Sequence, residues 1–210
     1  MINPVKDTTL GLLVSAQARG HRLAYMEQSS LYLNHGEARA KVTELVVKAE
    51  MKDWFEFGGS ADLSLSEFDA ILMRKDPPFD MEFVYTTQLL EVAERQGTLI
   101  VNRCSSLRDC NEKLFATQFP QCCPPLVVSR DMTTLKAFHA EHKDVIFKPL
   151  DGMGGQSIFR VSERDPNLNV VLETLTNQGT VSIMGQQFLP DLKGGDKRLL
   201  LIEGEPAPYL

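Results

Sequence analysis

No stretch of this sequence approaches the roughly 18 apolar residues that a membrane-spanning helix needs. Its start, MINPVKDTTL, lacks the apolar core of a secretion signal. No membrane partner is expected, and a cytoplasmic location is. Basic charge is short as well: 22 Lys and Arg stand against 28 Asp and Glu, for a net charge of −6. That balance argues against nucleic acid or an anionic lipid surface as a partner. A small anion needs only a local cluster of cations and stays open. Cysteine is scarce, and neither the Cys104/Cys110 spacing nor the adjacent Cys122 and Cys123 fits a C-x-x-C zinc or redox motif or a secreted disulfide framework. The four histidines, His21, His35, His139 and His142, form no H-E-x-x-H pair. His139 and His142 fall on one expected helix without a third ligand, so a solvated face is the expectation there. No Ser/His or Cys/His arrangement points to a side-chain nucleophile.

What is present is a core. At 210 residues and 43% hydrophobic content, the chain suits one large domain or two small ones. Residues 7–19 read as a helix behind an Asp/Thr cap, 22–28 and 38–47 as strands, 68–75 as a buried strand, 81–97 as an amphipathic helix ended by glycine, and 98–102 as a strand. That alternation predicts an α/β fold with crossovers and a mostly parallel sheet. Ser106 and Asp109 look like a capping box opening a helix that runs to Pro120, with Lys113 on its flank. The Pro-Pro stretch 121–130 is the candidate boundary between two domains, 1–120 and 121–210. A short helix around Met132–His142 follows it.

The segment VIFKPLDGMGGQSIFRV (145–161) sets Gly152, Gly154 and Gly155 between two expected strands, with Lys148 at the end of the first. Phosphate loops of the G-x-x-x-x-G-K and G-x-G-x-x-G kinds open helices, so neither fits. A glycine hairpin tip has two readings from its residues alone. It can fold over polyphosphate with backbone N–H groups that no Cβ obstructs, Lys148 supplying the charge, or its glycines can merely satisfy positive φ. Further on, strand 181–188, a Leu-Pro break and a strand from Lys197 to Glu203 could hold a flat heterocycle between them. Asp196 and Arg198 stand where ribose and phosphate could be met.

Taken in order, NEKLF, KPLDGMGGQSIFRV, MGQQFLP and GDKR resemble the ATP-grasp superfamily, and ILMRKDPPFD, GTLIVN and SLRDCNEKLF narrow the resemblance to bacterial glutathione synthetases. The resemblance runs through essentially the whole chain. It implies a Rossmann-like pre-ATP-grasp N-terminal domain on the substrate side, then part of an ATP-grasp domain. It also implies Lys113 and Lys148 on ATP phosphates, the loop of Gly152, Gly154, Gly155 and Gln156 over them, and Gln186, Gln187 and Leu189 in an adenine hinge. Asp196 and Arg198 would lie near the nucleotide, and Arg74 near γ-glutamylcysteine.

The implied reaction joins γ-glutamylcysteine and glycine with ATP through an acyl phosphate, in a homotetramer. Positioning and charge neutralisation dominate such phosphoryl transfer. The resemblance further implies a strand before Met1 and, beyond Leu210, a last third carrying the Mg²⁺ ligands and the arginines that stabilise the transferring phosphate. No catalytic or metal-ligating residue is expected within the chain as written, which alone should be a poor catalyst. Two other readings share these motifs: a non-catalytic nucleotide-binding remnant, and an ATP-grasp ligase acting on another carboxylate and amine.

Overall fold

The computed structural model describes residues 7–50, 52–75, 78–195, 197, 199–202 and 204–207, so Asp196 and Arg198 lie outside the described residues. The chain divides into two compact units between Phe115 and Ala116.

In the first unit, α1 (Thr8–Ala18) opens on Asp7, whose carboxylate accepts from the Thr9 N–H at 2.8 Å. Such a cap satisfies an otherwise free helix donor and is worth about 1 kcal/mol. Strands β1 (Leu23–Tyr25), β2 (Leu31–Asn34), β3 (Glu37–Val47) and β4 (Phe55–Ser64) form one antiparallel sheet. β3 is its spine, pairing with β2 and then β1 along one edge and with β4 along the other. His35 and Gly36 join β2 to β3 with φ of 49° and 83°, the two-residue geometry that suits strand twist.

Along β3, Ala38, Ala40 and Val42 are buried, then the alternation changes phase and Leu45 and Val47 are buried. The pairing is irregular between Thr43 and Leu45. The extra residue is on β4, where Gly58 and Gly59 together oppose Glu44, and such a bulge adds local twist to the pair. The first run packs with Leu65, Leu90 and Ile100, the second with Leu10 of α1.

This corrects the expectation of a mostly parallel sheet. Among the described residues, parallel pairing is confined to β5 (Ala70–Leu72) and β6 (Leu99–Val101), which flank α2 (Met81–Arg95) in sequence. β2 and β4 are strands that the sequence pattern does not announce. β4 carries FEFGGSADLS, with two glycines and an almost wholly exposed surface, so it lacks the apolar signal by which strands are recognised. Hairpins also need no crossover helix to announce them.

The helix after β6 is corrected too. α3 spans only Cys104–Asp109 behind Arg103, with no side-chain cap, and Ser106 and Asp109 lie inside it. Asn111 Oδ1 accepts from the backbone N–H groups of Lys113 and Leu114, both at 3.0 Å. An Asn offering its own acceptor competes with helix continuation. Lys113 therefore sits on a turn.

The second unit runs β7 (Leu126–Ser129), α4 (Met132–His142), β8 (Val145–Pro149), β9 (Phe159–Val161), α5 (Leu168–Leu175) and β10 (Ile183–Gln187). A 3₁₀ turn at Pro190–Gly194 follows, then the hairpin of β11 (Leu201–Ile202) and β12 (Glu205–Pro206), shorter than the strand expected from Lys197. β7 lies within the stretch read as a boundary. The main sheet is antiparallel in the order β7-β10-β8-β9. Phe147, Val145 and Ile183 pack with Leu135 of α4 and Leu172 of α5, all fully buried. Each such side chain contributes about 1.5–3 kcal/mol of burial. His139 belongs to the same layer: it is 5% exposed and its Nε2 lies 3.1 Å from the Ser162 carbonyl oxygen, not on the solvated face expected for it. It follows Leu135 by one helical turn and so shares the inward face.

Candidate functional site

Register decides which residues of the second sheet share a face, because directly opposed residues of an antiparallel pair point the same way. Val145, Phe147 and Ile183 face the helices. The alternate positions face away, placing Lys148 and Ile146 of β8 with Met184 and Gln186 of β10 and Arg160 of β9. Lys148 opposes Met184, so Gln186 is its diagonal neighbour, and Lys148 Nζ donates to Gln186 Oε1 at 2.9 Å. The amide orients the ammonium without neutralising it. Between them Gly185 is a packing necessity, since a Cβ there would lie 2.9 Å from Phe147 Cε1 and 3.2 Å from Val127 Cγ1.

Lys148 stands at the base of the connection between β8 and β9, which pair antiparallel as the expected hairpin. Gly154 and Gly155 take φ of 64° and 78°, a region that L side chains rarely enter. A Cβ on Gly152 would come 2.9 Å from Pro149 Cγ. Gln156 is exposed and donates its backbone N–H to the Met153 carbonyl at 3.3 Å. The loop thus combines positive-φ glycines with a lysine at its root, which suits contact with an anion.

At the other end of β10 the backbone is pinned. Gln187 N–H donates to the Pro125 carbonyl and Phe188 N–H to that of Asp144, each at 2.9 Å. The Leu189 carbonyl accepts from Leu192 N–H at 3.2 Å, while the Leu189 side chain is 53% exposed. Asp144 and Arg160 flank this segment and were not singled out from sequence. Sixteen residues separate them, and only strand register brings them together. Their bidentate hydrogen bonds hold the Asp144 carboxyl below the usual carboxylate range.

In the first unit, Arg74 follows β5 and reaches the start of α1. Its Nε donates to Thr9 Oγ1 at 3.0 Å, its Nη2 donates to Thr8 Oγ1 at 3.2 Å, and Nη2 lies 3.7 Å from Asp7 Oδ1. The Thr9 hydroxyl, the Thr9 N–H and Arg74 together hold the Asp7 carboxyl low. Lys113 Nζ donates to Glu112 Oε1 at 2.8 Å, and the Lys113 side chain is only 11% exposed. The structure therefore brings Lys148 and Gln186 together in one unit, beside the root of the glycine loop. Arg74 and Lys113 lie in the other. Among the described residues no group of three or more His, Cys, Asp or Glu could hold a metal ion.

Two sequence patterns decide the family. That of the prokaryotic glutathione synthetase N-terminal domain matches residues 1–108, and that of the prokaryotic glutathione synthetase ATP-grasp domain matches residues 112–210. The chain belongs to the prokaryotic glutathione synthetase family. Across 99% of its length it is 60% identical to the glutathione synthetase of Pseudomonas aeruginosa and 56% identical to that of Escherichia coli K12. It spans 66% of the length of each of these glutathione synthetases. Among solved structures, the ATP-grasp ligase PsnB complexed with a minimal precursor aligns with a TM-score of 0.51 at 14% identity, over 89% of this chain and 61% of that one. That is a likeness of fold: mixed α/β, with the family's N-terminal domain followed by ATP-grasp sequence.

Proposed function

We propose that this chain contributes the nucleotide-binding and acid-binding parts of a glutathione synthetase. The reaction joins γ-glutamylcysteine and glycine, with ATP converted to ADP and phosphate. The observation that carries the reading is Lys148, oriented by Gln186 at the root of a glycine hairpin on the sheet face turned away from the helices. In this reading residues 1–120 form the substrate-side domain and 121–210 the nucleotide-binding one. ATP is met by Lys113, Lys148, Gly152, Gly154, Gly155, Gln156, Gln186, Gln187 and Leu189, with Asp196 and Arg198 assigned on family resemblance. Arg74 receives a carboxylate of γ-glutamylcysteine, as a guanidinium fork suits.

In the first step an oxygen of the acid's carboxylate bonds to the γ-phosphorus as the bond to the departing ADP oxygen breaks. The glycine amine then attacks the activated carbonyl, phosphate leaves, and the nitrogen gives up a proton. Lys148 neutralises charge on the transferring group, and the glycine loop excludes water from it. The family resemblance also calls for Mg²⁺, which neutralises phosphate charge when bound. No described residue is assigned to hold it. Assembly as a homotetramer is proposed on the same resemblance, and a cytoplasmic location on the sequence features given above. No helix among the described residues is long and apolar enough to cross a membrane.

The test is ADP release by the purified protein that contains this chain, with whatever sequence flanks it, supplied with Mg²⁺ and ATP; the 210 residues alone are expected to release little. Release that requires both γ-glutamylcysteine and glycine is expected. Release that needs a different carboxylate or amine would replace the substrate assignment, and ATP binding with no release under any pairing would point to a remnant. Light scattering of the same sample gives the mass of the assembly, expected at four times that of the subunit.

A further inference from the structure

We propose that Arg160 is a positioning residue for the nucleotide, clamped by Asp144 so that it fixes Phe188 and with it the 187–189 segment that receives the base. This rests on the functional reading above. Arg160 Nε and Nη2 donate to Asp144 Oδ1 and Oδ2 at 3.0 and 2.7 Å, a bidentate fork. The guanidinium carbon lies 3.6 Å from the centre of the Phe188 ring, within the range of a cation–π contact. Asp144 acts a second time through its backbone, whose carbonyl accepts the Phe188 N–H at 2.9 Å. Both the main chain and the side chain of residue 188 are therefore referred to one residue at the entry to β8. Arg160 opposes Ile146, which opposes Gln186, so the clamp shares a face with Lys148 and Gln186.

An exposed ion pair ordinarily contributes little, and this one is half exposed. Its consequence here is conformational. With the guanidinium gone, the Phe188 ring regains rotamers and the segment loses its stacked wall, so binding the base must then order it. Lysine keeps a cation over the ring but cannot make the planar fork. The geometry thus separates charge from planarity.

The experiment is calorimetric titration of the purified protein with ATP and, separately, with inorganic triphosphate, which lacks the base. For Arg160→Ala, ATP is expected to bind roughly threefold to tenfold more weakly, with triphosphate affinity unchanged. KM for ATP should rise with kcat held. Arg160→Lys should recover part of the loss, and Phe188→Leu should remove most of the further effect of Arg160→Ala, as expected of a coupled pair. Unchanged ATP affinity in a variant with wild-type thermal unfolding overturns the proposal, as does an equal loss for ATP and triphosphate. Should Arg160→Ala not fold, the Arg160→Lys and Phe188→Leu titrations decide on the same criteria. Failure of the wild type to bind ATP at all overturns the functional reading and this proposal together, and is told apart from the other failures by that control.

Discussion

Replacing Lys148 with methionine removes one ammonium and leaves its aliphatic stem beside Met184. In the structure that ammonium donates to Gln186 Oε1 at 2.9 Å from a half-buried position. A hydrogen bond to a charged group is worth about 1.5–3 kcal/mol, so losing it from a polyphosphate should weaken ATP binding roughly tenfold to more than a hundredfold. Stability should change far less. Gln186 is half-buried, so water reaches the amide that loses its donor, and the unfolding free energy should stay within about 1 kcal/mol of wild type. Titration calorimetry with ATP, paired with thermal unfolding, separates the two quantities. Because the contact is between charges, wild-type affinity should also fall more steeply with salt than that of Lys148→Met. If Lys148→Met binds ATP within about twofold of wild type, the assignment of the glycine hairpin to phosphate is wrong.

Gly185→Ala should destabilise the second unit by about 1–3 kcal/mol, because its methyl would meet the Phe147 ring at 2.9 Å; a denaturant midpoint equal to wild type would contradict this. Arg74→Ala should raise KM for γ-glutamylcysteine about tenfold or more and leave KM for ATP unchanged. A fall in unfolding temperature with unchanged KM would instead make Arg74 only a tether for α1. Acid should also weaken the fold. Asp7, Asp131 and Asp144 are held below the ordinary aspartate value of 3.8, chiefly by Thr9, Thr134 and Arg160 respectively. A depressed folded-state value means the stabilisation is present above pH 3.8 and is lost as pH falls through the lower value. A pH titration of denaturant stability should therefore slope downward below about pH 4, and Asp144→Asn should flatten that slope.

Much of the fold could be read locally. The helices expected from residue 7 and around Met132 start in the structure at Thr8 and Met132, behind Asp7 and Asp131. α2 and the hairpin on either side of the glycine loop follow from period and glycine placement. Less legible were β4, whose two glycines and outward-facing surface carry little apolar pattern, and the bulge where Gly58 and Gly59 oppose Glu44, signalled in β3 only by a change of phase between Val42 and Leu45. The burial of His139 follows from its spacing to Leu135, whereas its spacing to His142 carries no structural consequence of that kind. α3 ended early because Asn111 supplied its own acceptors.

By itself the sequence determined the family and the residue types available for phosphate, since VIFKPLDGMGGQSIFRV carries its lysine and glycines in a fixed local order. Tertiary structure decided what those residues touch. Gln186 reaches Lys148 from 38 residues away because β10 pairs with β8 in one register. A slip of one residue would turn either side chain into the helix-packed core. The Asp144–Arg160–Phe188 clamp was equally hidden, assembled from the entry to β8, from β9 and from the end of β10. Contacts of that kind arise from strand pairing over long separations, and no local spacing in the chain records them.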